Sequence, residues 1–313
     1  MILAVSHRRD EHARAVLGAL ARRGAETLLL DLSALPARGR LALGYGGEGT
    51  RQLALDGRGP LDLSEVTALW WRRPRPPRPP PGLPLARAER AAQHLLATVA
   101  GLVASLEASA LLVDHPWRAD EAGEKVLQLD LAARCGLRVP ETLVTNDPAK
   151  AEEFLAGRGR AGAVHKAVTA SKGDWRRTRR VGRRGAAGIR DLHLAPVILQ
   201  ERIPGVDVRV TMVGDELFAA EIDARRSSSP DDYRGHEGEC RFTACRLPAE
   251  VARGVGRIRR ALGLHFGAAD FRHGPGGDWR FLELNPAGQW LFVERRTGQR
   301  ISDAVAALLA RGR

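Results

Sequence analysis

The sequence predicts a mixed α/β and α+β fold: an open, parallel-stranded leading unit followed by two units built on antiparallel strands. Three observations carry this expectation. Residues 1–31 read strand, amphipathic helix, strand; residues 207–222 read as a hairpin about Gly214-Asp215; and residues 267–285 read as two strands joined through His273-Gly274-Pro275-Gly276-Gly277-Asp278. A β-α-β start makes a parallel sheet, and short apolar alternations linked by tight turns make antiparallel ones.

Taken in order, residues 2–6 form a buried first strand, 11–23 a helix closed by Gly24, and 27–31 a second strand. Residues 40–56 alternate weakly, as in a hairpin, and 66–71 give another strand. Five prolines within 76–81 rule out a sheet interior and favour an extended surface loop. A long helix over 86–108 and a strand over 111–114 close a first unit at about residue 116. The second unit, 117–198, opens with a helix over 119–135 that carries Lys125 and ends at Gly136. A strand over 138–144 follows, then Asn146-Asp147-Pro148, which signals a helix start. Residues 163–168 form a strand with Lys166 in its middle, and a lysine there needs an anionic partner. The small, flexible stretch 169–175 is suited to lie over phosphates, with a strand resuming at 177–181. The third unit, 199–313, begins with a strand ending at Ile203-Pro204-Gly205, where backbone groups can meet an adenine edge. Within the 207–222 hairpin, Asp207 and Arg209 share a face and read as a surface ion pair. Arg259-Arg260 reads as a solvated helix face, and residues 301–309 as a closing helix.

Composition narrows the classes. The chain has 313 residues, 44% of them hydrophobic, with no long uncharged apolar run, which argues against a membrane span. Cys135, Cys240 and Cys245 lack metal-ligand spacing and leave one thiol over in any pairing, as expected of a reducing cytoplasm. The net charge of +12 invites a nucleic-acid reading, but only four of the 49 Lys and Arg residues are lysine. That skew is a bias spread over the whole surface, no basic motif interleaved with aromatics stands out, and nucleic acid is not an expected partner. Neither a Walker nor a dinucleotide glycine pattern follows a strand.

The stretch Phe281-Leu282-Glu283-Leu284-Asn285-Pro286 carries the chemistry. In an extended chain Glu283 and Asn285 face the same way, and Leu282 and Leu284 are expected to pack behind them. The preceding strand brings Asp270 level with this pair. Three hard oxygen donors on adjacent strands suit magnesium, which keeps several waters and shares the rest of its shell with nucleotide phosphates.

The order Lys166, Gln200-Glu201-Arg202-Ile203, Asp207-Val208-Arg209, Asp270 and Glu283-Leu284-Asn285-Pro286 resembles the ATP-grasp ligases over nearly the whole chain. Trp70-Trp71-Arg72-Arg73-Pro74, the Lys125 helix, Val139-Pro140-Glu141-Thr142 and above all Asn285-Pro286-Ala287-Gly288-Gln289-Trp290 resemble the microviridin-type peptide maturases, the graspetide synthetases. The resemblance implies an ATP-grasp fold, with a Rossmann-like domain over 1–116 and two α+β subdomains, 117–198 and 199–313, enclosing ATP. It implies a reaction in which an Asp or Glu carboxyl of a ribosomal precursor peptide is phosphorylated by ATP. A Thr or Ser hydroxyl or a Lys amine then captures the acyl phosphate as an ester or amide crosslink. ATP and Mg2+ would be the cofactors, and the peptide would carry a leader and an acidic, Thr-rich core. Asp270, Glu283 and Asn285 would hold the metal, and Lys125 and Lys166 would meet the phosphates. Gln200, Glu201 and Ile203 would line adenine, Asp207 would accept from the ribose, and Arg209 and Arg234 would serve the acyl end. Trp290 is expected to be packing. A homodimer also follows from the resemblance. The alternative is a ligase of the same fold acting on a free amino acid or small acid, followed at a distance by a module that binds ATP without turnover.

Overall fold

The computed structural model describes residues 1–46, 50–55, 58–158, 162–168, 178–182, 184–189 and 192–312. In the leading unit, β1 (Ile2–Val5), α1 (Glu11–Arg22) and β2 (Thr27–Leu30) form the expected β-α-β start. Asp10 caps α1 by accepting from the backbone N–H groups of His12 and Ala13. A separate three-stranded antiparallel sheet is made of β3 (Gly39–Gly44), β4 (Thr50–Leu55) and β5 (Arg58–Asp62), one strand more than the predicted hairpin. β6 (Ala68–Trp71), α2 (Leu85–Ser105) and β7 (Leu111–Val113) complete a parallel sheet of order β2-β1-β6-β7. Every residue of β1 is buried, as in a sheet covered on both faces.

The predicted helix over 119–135 is instead two helices, α3 (Pro116–Ala122) and α4 (Lys125–Arg134), with Gly123 capping the first. Glycine weakens a helix interior, and the break puts Lys125 in the first turn of a new helix. Next come β8 (Thr142–Thr145), α5 (Pro148–Ala156), β9 (Ala163–Ala167), β10 (Arg179–Arg180) and β11 (Val197–Glu201), which pair as an antiparallel sheet of order β10-β9-β11-β8. The last sheet is built from β12 (Val206–Val213), β13 (Glu216–Asp223), β14 (Arg241–Cys245), β15 (Phe266–Gly274) and β16 (Asp278–Asn285), in the order β14-β13-β12-β15-β16. Helix α6 (Ala249–Ala261) lies within it in sequence, and α7 (Leu291–Thr297) and α8 (Ile301–Arg311) end the chain. Gly205 precedes β12 at φ +146, where a Cβ would fall 2.1 Å from the His273 carbonyl oxygen, so only glycine fits.

Two cores position the site. One face of the five-stranded sheet, with Val208, Val210, Phe271 and Phe281, packs on α4 and α6 through Ala132, Val255 and Ile258. Helix α4 therefore belongs to the core of this sheet, although it precedes the four-stranded one in sequence. The second core joins the ends of the chain: Val305 and Leu309 of α8 meet Val16 and Leu20 of α1 together with Trp70 and Trp290. Arg259 departs from its predicted solvated face. It is buried, and donates to the Leu264 carbonyl at 2.9 Å and to Asp215 at 2.6 Å. All three cysteines are free thiols, and among the described residues no helix is long and apolar enough to cross a membrane.

Candidate active site

The β15–β16 hairpin sets the acidic centre. Asp270 is the register partner of Glu283, and Ala268 that of Asn285. The ladder slips between Asp270 and Phe271, where Phe271 pairs with Phe281 and leaves Leu282 as the extra residue of a bulge. The bulge breaks the simple alternation. Phe281 and Leu284 both enter the core, while Leu282 joins Glu283 in lining the cleft instead of packing behind it. Beyond the strand, the Asn285 side-chain oxygen accepts from the Ala287 N–H at 2.9 Å and closes the turn at Pro286.

Cations surround these carboxylates. Arg209 on β12 donates through Nη1 to both oxygens of Asp270, each at 2.8 Å, and through Nη2 to the Gln289 carbonyl at 3.2 Å. Gly288 makes room for it, since a Cβ there would lie 2.9 Å from Arg209 Nη2 and 2.4 Å from the Ala268 Cβ. Arg234 donates to Glu283 at 3.0 Å and is itself held by Asp232 at 2.8 Å. Lys125 lies 3.8 Å from the other Glu283 oxygen and donates to the Ala167 carbonyl at 3.0 Å, which ties α4 to β9 across the cleft. The predicted Asp207–Arg209 pair does not form. Asp207 pairs with Arg272 at 2.7 Å, while Arg209 takes Asp270.

On the four-stranded sheet, Lys166 donates to the Gln200 side-chain oxygen at 2.9 Å, and Gln200 donates to the Thr142 hydroxyl at 3.0 Å. The Glu201 carboxylate accepts from the Glu141 N–H at 3.3 Å. Lys166, Gln200, Glu201, Ile203, Asp207 and Arg234 line one cavity of the cleft; Lys125, Glu283 and Asn285 line a second, which shares Lys166, Arg234 and Glu283 with the first. All the sequence-predicted site residues thus meet in one cleft except Arg209, which reaches it through its bond to Asp270. The stretch 169–175 lies outside the described residues.

Sequence reasoning missed Arg272 and Gln128. Arg272 is buried and bonds the Ile203 carbonyl at 3.2 Å as well as Asp207. Nothing marked it among so many arginines. Gln128 sits three residues after Lys125, which is the one signal that could have found it.

Burial opposes ionisation of Glu283, but Arg234, Lys166, Lys125 and Arg209 outweigh it and hold its carboxyl below the usual range. For Lys166 burial dominates and lowers the ammonium, although Glu283 pulls the other way. For Asp207 burial also dominates and pushes the carboxyl up to about 6 despite Arg272. Among the described residues no three His, Cys, Asp or Glu side chains form a metal cluster; the candidate donors here are two carboxylates and one amide. An ionised Glu283 opposite Asp270, with the Asn285 amide beyond, offers the hard oxygens that magnesium requires, and the surplus of cations around them fits phosphates.

A family model described as the MvdD pre-ATP grasp domain matches residues 1–119. By structure the chain is similar to macrocyclase MdnC bound with precursor peptide MdnA from Microcystis aeruginosa MRC, at 26% identity over 99% of each chain with a TM-score of 0.87. It is similar to ATP-grasp ligase PsnB complexed with minimal precursor, Mg and ADP, at 26% identity over 99% of this chain and 97% of that one, TM-score 0.80. It is also similar to macrocyclase MdnB from Microcystis aeruginosa MRC, at 30% identity over 99% of each chain, TM-score 0.82. No curated protein matches the chain by sequence. With identity at that level sustained from end to end, the chain belongs to the microviridin-type, or graspetide, ATP-grasp ligases.

Proposed function

We propose that this ATP-dependent peptide macrocyclase forms ester or amide crosslinks between an Asp or Glu carboxyl of a ribosomal precursor peptide and a Thr or Ser hydroxyl or Lys amine of the same peptide. The observation that carries the reading is the Asp270–Glu283 register pair, ringed by Arg209, Arg234, Lys125 and Lys166 at the junction of two sheets. Adenine is assigned to Gln200, Glu201 and Ile203, the ribose hydroxyls to Asp207, and the phosphates to Lys125 and Lys166. Asp270, Glu283 and Asn285 hold magnesium, which when bound neutralises charge on the phosphate oxygens.

A peptide carboxylate oxygen attacks the γ-phosphorus, the bond to the β-bridging oxygen breaks, and ADP leaves. Arg234, kept in place by Asp232, and Arg209, kept in place by Asp270, supply fixed positive charge where the acyl phosphate forms. The hydroxyl or amine then attacks the acyl carbon, phosphate departs, and the nucleophile's proton is lost with it. Holding both guanidinium groups before the substrate arrives avoids reorganisation during transfer. The same reading divides the chain at 116 and 198 and makes it a homodimer, which light scattering would test.

A precursor peptide encoded beside the gene, incubated with ATP and Mg2+, should lose about 18 Da for each ring closed, one water per acyl transfer. Tandem mass spectrometry should place the loss between an acidic residue and a hydroxyl or amine. Turnover of free amino acids or small acids with the peptide left intact would overturn the reading in favour of a small-molecule ligase.

A further inference from the structure

We propose that Gln128 is a positioning residue for the metal-holding strand. The inference rests on the reading of Asp270, Glu283 and Asn285 as magnesium ligands. β16 is the edge strand of its sheet, so its outer side carries backbone groups with no neighbouring strand to pair with. At Leu284, the residue between the two proposed ligands of this strand, a single side chain fills that role. The Gln128 oxygen accepts from the Leu284 N–H at 2.8 Å, and its amide nitrogen donates to the Leu284 carbonyl at 2.7 Å and to the Ala122 carbonyl at 2.5 Å. The amide mimics the missing strand for one residue. It is 2% exposed and reaches back to the end of α3, so its orientation is fixed from both sides.

The consequence is geometric. Strand β16 has already slipped by one residue at the bulge next to Glu283, and a bulged edge strand is the least constrained part of a sheet. Two bonds to Leu284 fix the peptide planes on either side of it, and those planes set where the Glu283 and Asn285 side chains leave the backbone. Lys125, one turn earlier on the same helix, lies against the Glu283 carboxylate itself. Helix α4 thereby holds a metal ligand by its side chain and the next residue by its backbone, and the same helix brings a phosphate-directed ammonium into register with both.

The test is calorimetric titration of ADP, with and without Mg2+, into the parent protein and into Gln128→Met, which keeps the length and removes every polar contact. The expected result is unchanged ADP affinity without metal and a loss of about tenfold or more in the gain that magnesium confers, the usual cost of removing a group that orients a metal ligand. Crosslinking at limiting Mg2+ should fall likewise and recover as Mg2+ is raised. Should Gln128→Met not fold, Gln128→Asn, which is polar but one methylene too short to reach Leu284, decides the matter by the same readout. A magnesium-dependent gain equal to the parent's overturns the proposal. So does an equal loss of ADP affinity with and without metal, the mark of general structural damage. A parent protein that gains nothing from magnesium overturns the metal reading itself, and this proposal with it.

Discussion

Arg72 donates through Nη1 to the carbonyl oxygen of Ala287 at 2.6 Å, joining two stretches 215 residues apart in sequence. The same nitrogen bonds the Gly288 carbonyl at 3.0 Å, the guanidinium lies over the Trp290 ring at 4.9 Å, and Asp10 is 3.6 Å away. The two most distinctive sequence motifs of the chain, Trp70-Trp71-Arg72-Arg73-Pro74 and Asn285-Pro286-Ala287-Gly288-Gln289-Trp290, are therefore halves of one contact between the leading sheet and the turn that follows β16.

Removing that guanidinium takes from Asp10 its buried cation and from the Gly288 carbonyl its donor, although Asp10 keeps Ser6 and the α1 N–H groups and the Ala287 carbonyl keeps Arg73. Arg72→Met should destabilise the protein by about 3 kcal/mol, as expected when one member of a buried pair is lost. Arg72→Lys should recover little of it, because an ammonium cannot reproduce the planar stacking and fork of a guanidinium. Urea denaturation followed by tryptophan fluorescence checks both, and near-parental midpoints for both variants would show that the contact is dispensable.

Arg209 is committed to Asp270 by both carboxylate oxygens, so its charge is placed before substrate arrives. Arg209→Lys should lower the rate of peptide dehydration about 100-fold or more, within the range for losing one preorganised donor to a developing negative charge. The KM for ATP should change little. A variant that loses ATP affinity and keeps its maximal rate would move Arg209 out of the acyl-transfer role.

Asp207 gives a pH signature. Burial raises its carboxyl from 3.8 to about 6, so the folded protein holds this proton more tightly than the unfolded chain. Its contribution to stability is fully present below 3.8 and is lost as pH rises through 6. Nucleotide binding should run the other way, because only the ionised form keeps both oxygens as acceptors, one towards Arg272 and the other for a ribose hydroxyl. The KM for ATP should climb about tenfold per unit below pH 6 in the parent. It should stay flat over the same range in Asp207→Asn, at a uniformly higher value. Steady-state kinetics between pH 5 and 8 distinguish the two profiles, and an equally steep limb in the variant would assign the titration elsewhere.

Arg234 is one loop arginine among many, yet it bridges Asp232 and Glu283. Arg234→Ala should slow crosslinking about 100-fold by the same loss of preorganised charge. Asp232→Asn should lower it less, because the guanidinium remains and only its orientation loosens. Parental rates in both variants would return Arg234 to the role of a loop ion pair.

Much of this arrangement was legible in the residues because alternation and turn chemistry are local. The Gly214-Asp215 hairpin follows from strand period and the length of the connecting turn, and the second hairpin brings Asp270 within one residue of Glu283, a pairing that the bulge at Leu282 completes. What escaped depends on contacts across sequence. Leu282 reads as core by alternation, and only the bulge turns it to the cleft. Arg209 and Asp207 read as each other's partners, and only the neighbouring strand, with Asp270 beside one and Arg272 beside the other, separates them. The break at Gly123 was visible as a glycine, but its effect, a fresh helix beginning at Lys125, is decided by packing of α4 onto the five-stranded sheet.

The central claim is tested most directly by intact-mass measurement of the precursor peptide, with ADP release followed in the same reaction, for the parent and for Glu283→Gln. The parent should remove about 18 Da for each ADP formed, and the variant should do neither while its melting temperature stays within a few degrees of the parent's. Dehydration of the peptide by Glu283→Gln at the parental rate would contradict it.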